Sequence, residues 1–174
     1  MIVRSEIHIP TMKEIDSART AFQEREPSDL FYRVATELID LSIRKATTLS
    51  VGEALAVLLQ TWNKSFYRFH PFSEQHLQEI ENHVKSHWDQ IAAHRRRCIE
   101  SFVPKDEPGI ISLFTNFEQI VGRVGTAKCL HLLAPRFFPL WDNKIITKGY
   151  GIILRQGPRN AKPYLHFMEY AKQQ

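Results

Sequence analysis

Cysteine is scarce in this chain: Cys98 and Cys129 are the whole complement of its 174 residues, and neither belongs to a CxxC pair. That scarcity excludes a disulfide framework and makes a reducing compartment, the cytoplasm by default, the expectation. Long apolar runs are missing too. The longest covers residues 54–59, far short of the ~20 residues that cross a bilayer, so no membrane partner is expected. Glu6 and His8 interrupt the first ten residues, where no signal-peptide core is therefore expected. Internal repeats, low-complexity tracts, a Walker loop, a dinucleotide glycine fingerprint and a nucleophile elbow are all absent. The common nucleotide-cofactor and serine-hydrolase readings fall away with them, and no cofactor is expected.

What is present is ordinary globular composition, 43% apolar and 24% charged, in a length suited to one domain over residues 1–174. Proline and glycine punctuate the chain around residues 27, 71, 104–109, 135–139, 149–151 and 157–158. Between these marks apolar residues recur at helical spacing. Phe31, Val34, Leu38 and Leu41 form one such series, and Leu55, Leu58, Trp62 and Phe66 another. The second follows Ser50, an N-cap with Glu53 three residues on. Leu77, Ile80, Val84, Trp88 and Ile91 predict one long helix, the longest of the fold, from Ser73 to about Phe102. Further helices are expected over Ile111 to Val121, over Thr126 to Ala134 after a tight turn, and from about Asn160, with Pro163 in the first turn. Strand signals are confined to the first ten residues and to 151–154. The expected fold is all-α, a two-lobed helical domain whose lobes meet at residues 103–109.

Charge is unevenly spread. From Ile120 onward nine Lys or Arg side chains face only Asp142 and Glu169, a balance of +7, while residues 1–119 carry −3. Such asymmetry is the footprint of a polyanion-binding face or, equally, of a lysine-rich solvated surface. Within this basic third lie Ile120-Val121-Gly122-Arg123-Val124-Gly125-Thr126-Ala127-Lys128 and then Phe137-Phe138-Pro139-Leu140-Trp141-Asp142. A helix, a glycine-containing hairpin and a second helix whose first amides face outward make a phosphate-binding device.

This arrangement, near residues 111–134, resembles the helix-hairpin-helix of the DNA glycosylase superfamily over about 23 residues. With Gly122 on the second hairpin glycine, Asp142 arrives 20 residues later, where that family places an aspartate. Ile120 stands in place of the first hairpin glycine, and Val124 where bifunctional members carry lysine. No four-cysteine iron–sulfur tail exists. The resemblance implies a DNA-acting, monofunctional base-excision enzyme, an N-glycosidic hydrolase with Asp142 as its catalytic residue. It implies DNA contacts from Gly122, Arg123, Gly125, Thr126, Lys128, Arg136 and Lys144. Trp141, Tyr150 and Tyr164 are candidates by type for a base wedge or stacking residue. Asp142 equally suits a plain helix N-cap, its carboxylate taking amides of Lys144 or Ile145.

Other side chains offer competing readings. His76, His83, His87 and His94 fall within a ~40° stripe of a helix, and His83 with His87 suits two ligands of one metal ion. The sequence places no acidic third ligand and no HExxH, so no metal is expected; a metal-dependent hydrolase is the outside alternative. Arg95, Arg96 and Arg97 spread around one turn as a phosphate-facing edge or a solvated helix end. Cys98 and Cys129 read as core thiols. A non-catalytic DNA-binding module, or a helical scaffold for a protein partner, is the alternative to an enzyme.

Overall fold

The computed structural model describes residues 11–25, 29–143 and 145–173. Eight α-helices run through them: α1 (Met12–Arg25), α2 (Asp29–Ile43), α3 (Val51–Trp62), α4 (Lys64–Tyr67), α5 (Glu74–Ser86), α6 (Trp88–Arg95), α7 (Glu107–Leu133) and α8 (Ala161–Lys172). Two 3-10 turns (Ile99–Ser101 and Pro104–Asp106) and a π-turn (Ile145–Gly149) complete the regular structure. The fold is all-α, with no strand among the described residues. No helix there is long and apolar enough to cross a membrane. The strand expected at 151–154 is irregular backbone, and the other, within residues 1–10, lies outside the described residues.

Local chemistry starts α3 as expected. The Ser50 hydroxyl accepts from the Glu53 amide at 3.0 Å while Glu53 accepts from the Ser50 amide at 2.7 Å, a reciprocal cap that satisfies two of the amides a helix start leaves over. α3 then turns Ala54, Leu55, Leu58 and Leu59 inward. On α2 the inward face is one position round from the expected one. Ala35 and Ile39 are fully buried, whereas Phe31 and Val34 are about 40% exposed.

The helix expected from Ser73 to Phe102 is two helices and a turn. The chain leaves helical geometry at His87 (φ −112°, ψ 13°), where the ring Nδ1 shares the His83 carbonyl with the residue's own amide. α6 then stops at Arg95, because the next side chains are drawn elsewhere. Arg95 reaches the Leu132 and Leu133 carbonyls and pairs with Asp40. Arg97 grips Asp106 at 2.7 Å and lies 4.6 Å from the Phe137 ring centre. These two arginines are neither a phosphate edge nor a solvated helix end; only Arg96 is exposed.

α7 is the longest element. It begins at Glu107 rather than Ile111, since Pro108 sits in the first turn, where no amide donor is needed. The segment 103–109 is consequently a tight turn into α7, clasped by Arg97 on Asp106, with Asp106 also accepting from the Val103 amide at 3.0 Å. α7 packs against α2, α3, α5, α6 and α8. A continuous hydrophobic core, from Ala35 to Met168, draws on both sides of that turn.

Candidate functional site

The site is built on one break in α7. Gly122 adopts φ 71° and ψ 168°, a region essentially reserved for glycine. The expected four-residue turn is thus a single residue, and Arg123, Val124 and Gly125 already belong to the second helical half. Such an interruption disturbs the ladder of carbonyls and amides on either side of it. Buried Asn63, just past α3, donates its side-chain amide to the Val121 carbonyl at 3.0 Å. It fits because Gly125 has no side chain: a Cβ there would stand 2.6 Å from Asn63 Nδ2. Phe66 in turn rests on Gly122, where a Cβ would meet its ring at 2.8 Å. Both glycines therefore serve close packing of the α3–α4 segment.

Beside the break opens a cavity of about 680 Å³, walled by the end of α3, α4, the α7 break, residues 142–143 and residues 156–158. Gly122, Arg123, Val124, Lys128 and Asp142 all line it. Lys128 is 6% exposed; its Nζ donates to the carbonyl of Trp62, the last residue of α3. Burial pulls the Lys128 ammonium below its ordinary pKa, and the Asp142 charge opposes that fall. Cation and carboxylate thus face the same cavity at close enough range to sense each other.

Two further polar residues shape the far wall. Glu118, buried within the first half of α7, accepts from the Asn160 amide at 3.1 Å and from Asn160 Nδ2 at 2.5 Å. Burial raises its pKa, and the bonds from Asn160 and the charge of Arg123 counter part of that rise. Asn160 also exchanges bonds with the Arg155 amide (2.7 Å) and carbonyl (3.0 Å), and Arg123 donates to the same carbonyl at 2.8 Å. These contacts fix the loop that presents residues 156–158.

The remaining residues singled out from sequence lie elsewhere. Gly125 and Thr126 are buried in α7, with the Thr126 hydroxyl donating to the Gly122 carbonyl at 2.9 Å. Arg136 is exposed but outside the cavity, and Lys144 lies outside the described residues. The wedge assignments need correction. Trp141 and Tyr164 are fully enclosed, their rings packed edge-to-face 5.0 Å apart beside Phe114 and Phe167. Trp141 donates to the Arg123 carbonyl at 3.2 Å and Tyr164 to the Pro139 carbonyl at 2.9 Å. Both rings are taken up by that core and expose no face to a base stack. Tyr150 is half-buried against Phe167 and Tyr170, away from the cavity.

The aromatic side chains that do line the cavity are Trp62, Phe66, Phe69 and His70. Their signal in the sequence is the crowding of Trp62, Phe66, Tyr67, Phe69 and Phe72 into eleven residues, more than a short connection needs. The histidines do not form one stripe, because the chain breaks at His87. His83 stacks on Phe117 at 4.3 Å and His94 on Phe137 at 4.4 Å, while His76 meets the Tyr67 hydroxyl at 3.0 Å. Among the described residues no three metal-ligating side chains converge. Cys129 is buried and its thiol pushed far up by desolvation; Cys98 is half-buried.

The chain matches no known family model, and neither a curated protein nor a solved structure is significantly similar to it.

Proposed function

We propose that this protein acts on DNA as a monofunctional base-excision glycosylase, with the cavity beside Gly122 as its base pocket. One observation carries the reading: Gly122, Arg123, Lys128 and Asp142, chosen from the sequence as parts of one device, line one cavity. Its volume, about 680 Å³, falls in the range of small-molecule pockets and exceeds what a single nucleobase occupies. The aromatic wall suits a base taken out of the duplex stack. In such a site the Asp142 carboxylate, which lines the same cavity as Lys128, stabilises positive charge that develops on the sugar as the N-glycosidic bond breaks. It also orients the water that completes hydrolysis. The leaving base takes up a proton, and an abasic sugar remains.

The strand itself stays intact in this scheme. Imine-forming strand cleavage needs an amine free to attack the sugar carbon. Val124 offers none on the cavity wall, and Lys128 is held by the Trp62 carbonyl. The test uses oligonucleotides carrying alkylated, deaminated or oxidised bases, incubated with the protein and then treated with alkali. Strand breaks only after alkali support the proposal, and a borohydride-trapped complex on Lys128 would replace it with a lyase. Binding should weaken linearly on a log–log scale with salt, at about −0.9 per neutralised phosphate. Replacing exposed Arg155 and Arg159, which flank the 156–158 wall, should make that slope shallower. Binding without release of any base would favour a non-catalytic DNA-binding module.

A further inference from the structure

The cavity mouth carries a side chain that the fold does not use. Phe69, in the turn after α4, is 75% exposed, which forfeits most of the hydrophobic gain its burial would bring. It is held at that mouth by its amide, which donates to the Phe66 carbonyl at 3.1 Å. Next to it the Phe66 and His70 rings lie parallel, 4.4 Å apart at 11°. All three line the same cavity as Asp142. Arg123 lines the same cavity, and exposed Arg155 and Arg159 directly precede and follow residues 156–158 of its wall.

An aromatic face bordered by cations is complementary to a planar ring carrying an anionic tether. A nucleotide in a strand has that form, but its ring faces are covered by neighbours in a paired duplex. Only an unpaired or extruded base offers a face, and every base type does so. We propose that Phe69, backed by the stacked Phe66–His70 pair, is a stacking surface for an unpaired nucleobase, with the flanking phosphates on Arg155 and Arg159. The inference rests on the DNA-acting reading and adds to it the residue and the type of contact that select unpaired over paired substrate.

The experiment compares three ligands by fluorescence anisotropy at low salt: a short oligothymidylate, an abasic oligomer of the same length and a fully paired duplex. The proteins are wild type, Phe69→Ala, Phe69→Leu and Phe69→Trp. Phe69→Ala should weaken oligothymidylate binding about 5- to 100-fold while leaving the abasic oligomer and the duplex unaffected. Phe69→Trp should restore the loss and Phe69→Leu should not, because stacking needs a ring and hydrophobic contact alone does not. Unchanged thermal midpoints are expected from the exposure of Phe69; if Phe69→Ala is destabilised, the Leu and Trp variants decide. Equal losses on the base-bearing and abasic oligomers, full rescue by Leu, or no loss at all would each overturn the proposal. If wild type binds duplex and releases a base while Phe69→Ala still binds oligothymidylate normally, the stacking surface alone is wrong. If wild type binds none of the three ligands, it falls together with the DNA-acting reading.

Discussion

Replacing Gly122 by Ala puts the construction of the site at risk in a measurable way. At φ 71° and ψ 168° an alanine bears a backbone cost of about 1–3 kcal/mol. Its Cβ would also stand 2.8 Å from the Phe66 ring, closer than carbon atoms approach, so Phe66 must shift. Phe66 is only half-buried and can give way toward the cavity, which holds this second cost near ~1 kcal/mol, the low end for overpacking. The expected destabilisation is about 2–4 kcal/mol. At roughly 2–4 °C per kcal/mol for a chain of this size, the thermal midpoint should fall by about 4–16 °C. Urea unfolding is the cleaner assay, with the midpoint shifted and the slope unchanged. Two other glycines supply internal standards. Gly151→Ala meets nothing within 4 Å but has φ 64°, and so reports left-handed strain of about 1–2 kcal/mol without a clash. Gly149→Ala meets nothing and has no such φ, and should change stability by less than ~0.5 kcal/mol. A Gly122→Ala protein no less stable than Gly151→Ala would refute both the glycine-only conformation and the Phe66 contact.

Acid should destabilise the fold early. His83 and His94 are each about 5% exposed, and burial lowers both pKa values from 6.5 to about 4. Neighbouring His87 and Arg97 add to this, while Asp106 opposes it at His94. Their neutral forms are favoured in the folded state, so stability is complete above pH 6.5 and is lost as pH falls toward 4, by roughly 3 kcal/mol per ring at ~1.4 kcal/mol per unit. Equilibrium unfolding from pH 8 to 4 checks this, and a flat profile above pH 5 contradicts it; His94→Phe should remove about half of the loss. Arg95→Ala should cost about 2–3 kcal/mol, because the Leu132 and Leu133 carbonyls and Asp40 lose a charged donor. Arg96→Ala should stay within ~0.5 kcal/mol. Equal effects of the two variants in urea unfolding would mean that Arg95 does not clamp the end of α7.

Features set by neighbours in the chain were legible in the sequence. Ser50 with Glu53 marked the start of α3, the glycine after Val121 marked the break in α7, and Asn160 with Pro163 marked the start of α8. Features set by distant partners were not. Residues 73–102 carry an unbroken helical period, and it is the contacts of Arg95 and Arg97 with α7, Asp40 and Asp106 that end α6. Trp141 and Tyr164 have the composition of a stacking pair, and only the packing of α7 against α8 encloses them. Glu118 and Asn160 stand 42 residues apart, so no local pattern links them, although together they shape the cavity wall. Phe69 was overlooked for the opposite reason: its exposure is visible only once the rest of the aromatic cluster has been placed.

If Asp142 serves a base pocket, replacing its charge while keeping its shape should abolish base release. Asp142→Asn removes one negative charge from the cavity and keeps the side chain's size and one oxygen acceptor. Wild type and variant are given the same damaged oligonucleotides, and base release and DNA affinity are measured side by side. Alkali-labile sites are expected with wild type and none with Asp142→Asn, together with equal or tighter DNA binding by the variant and matching unfolding curves. Base release undiminished in Asp142→Asn would contradict that role of Asp142.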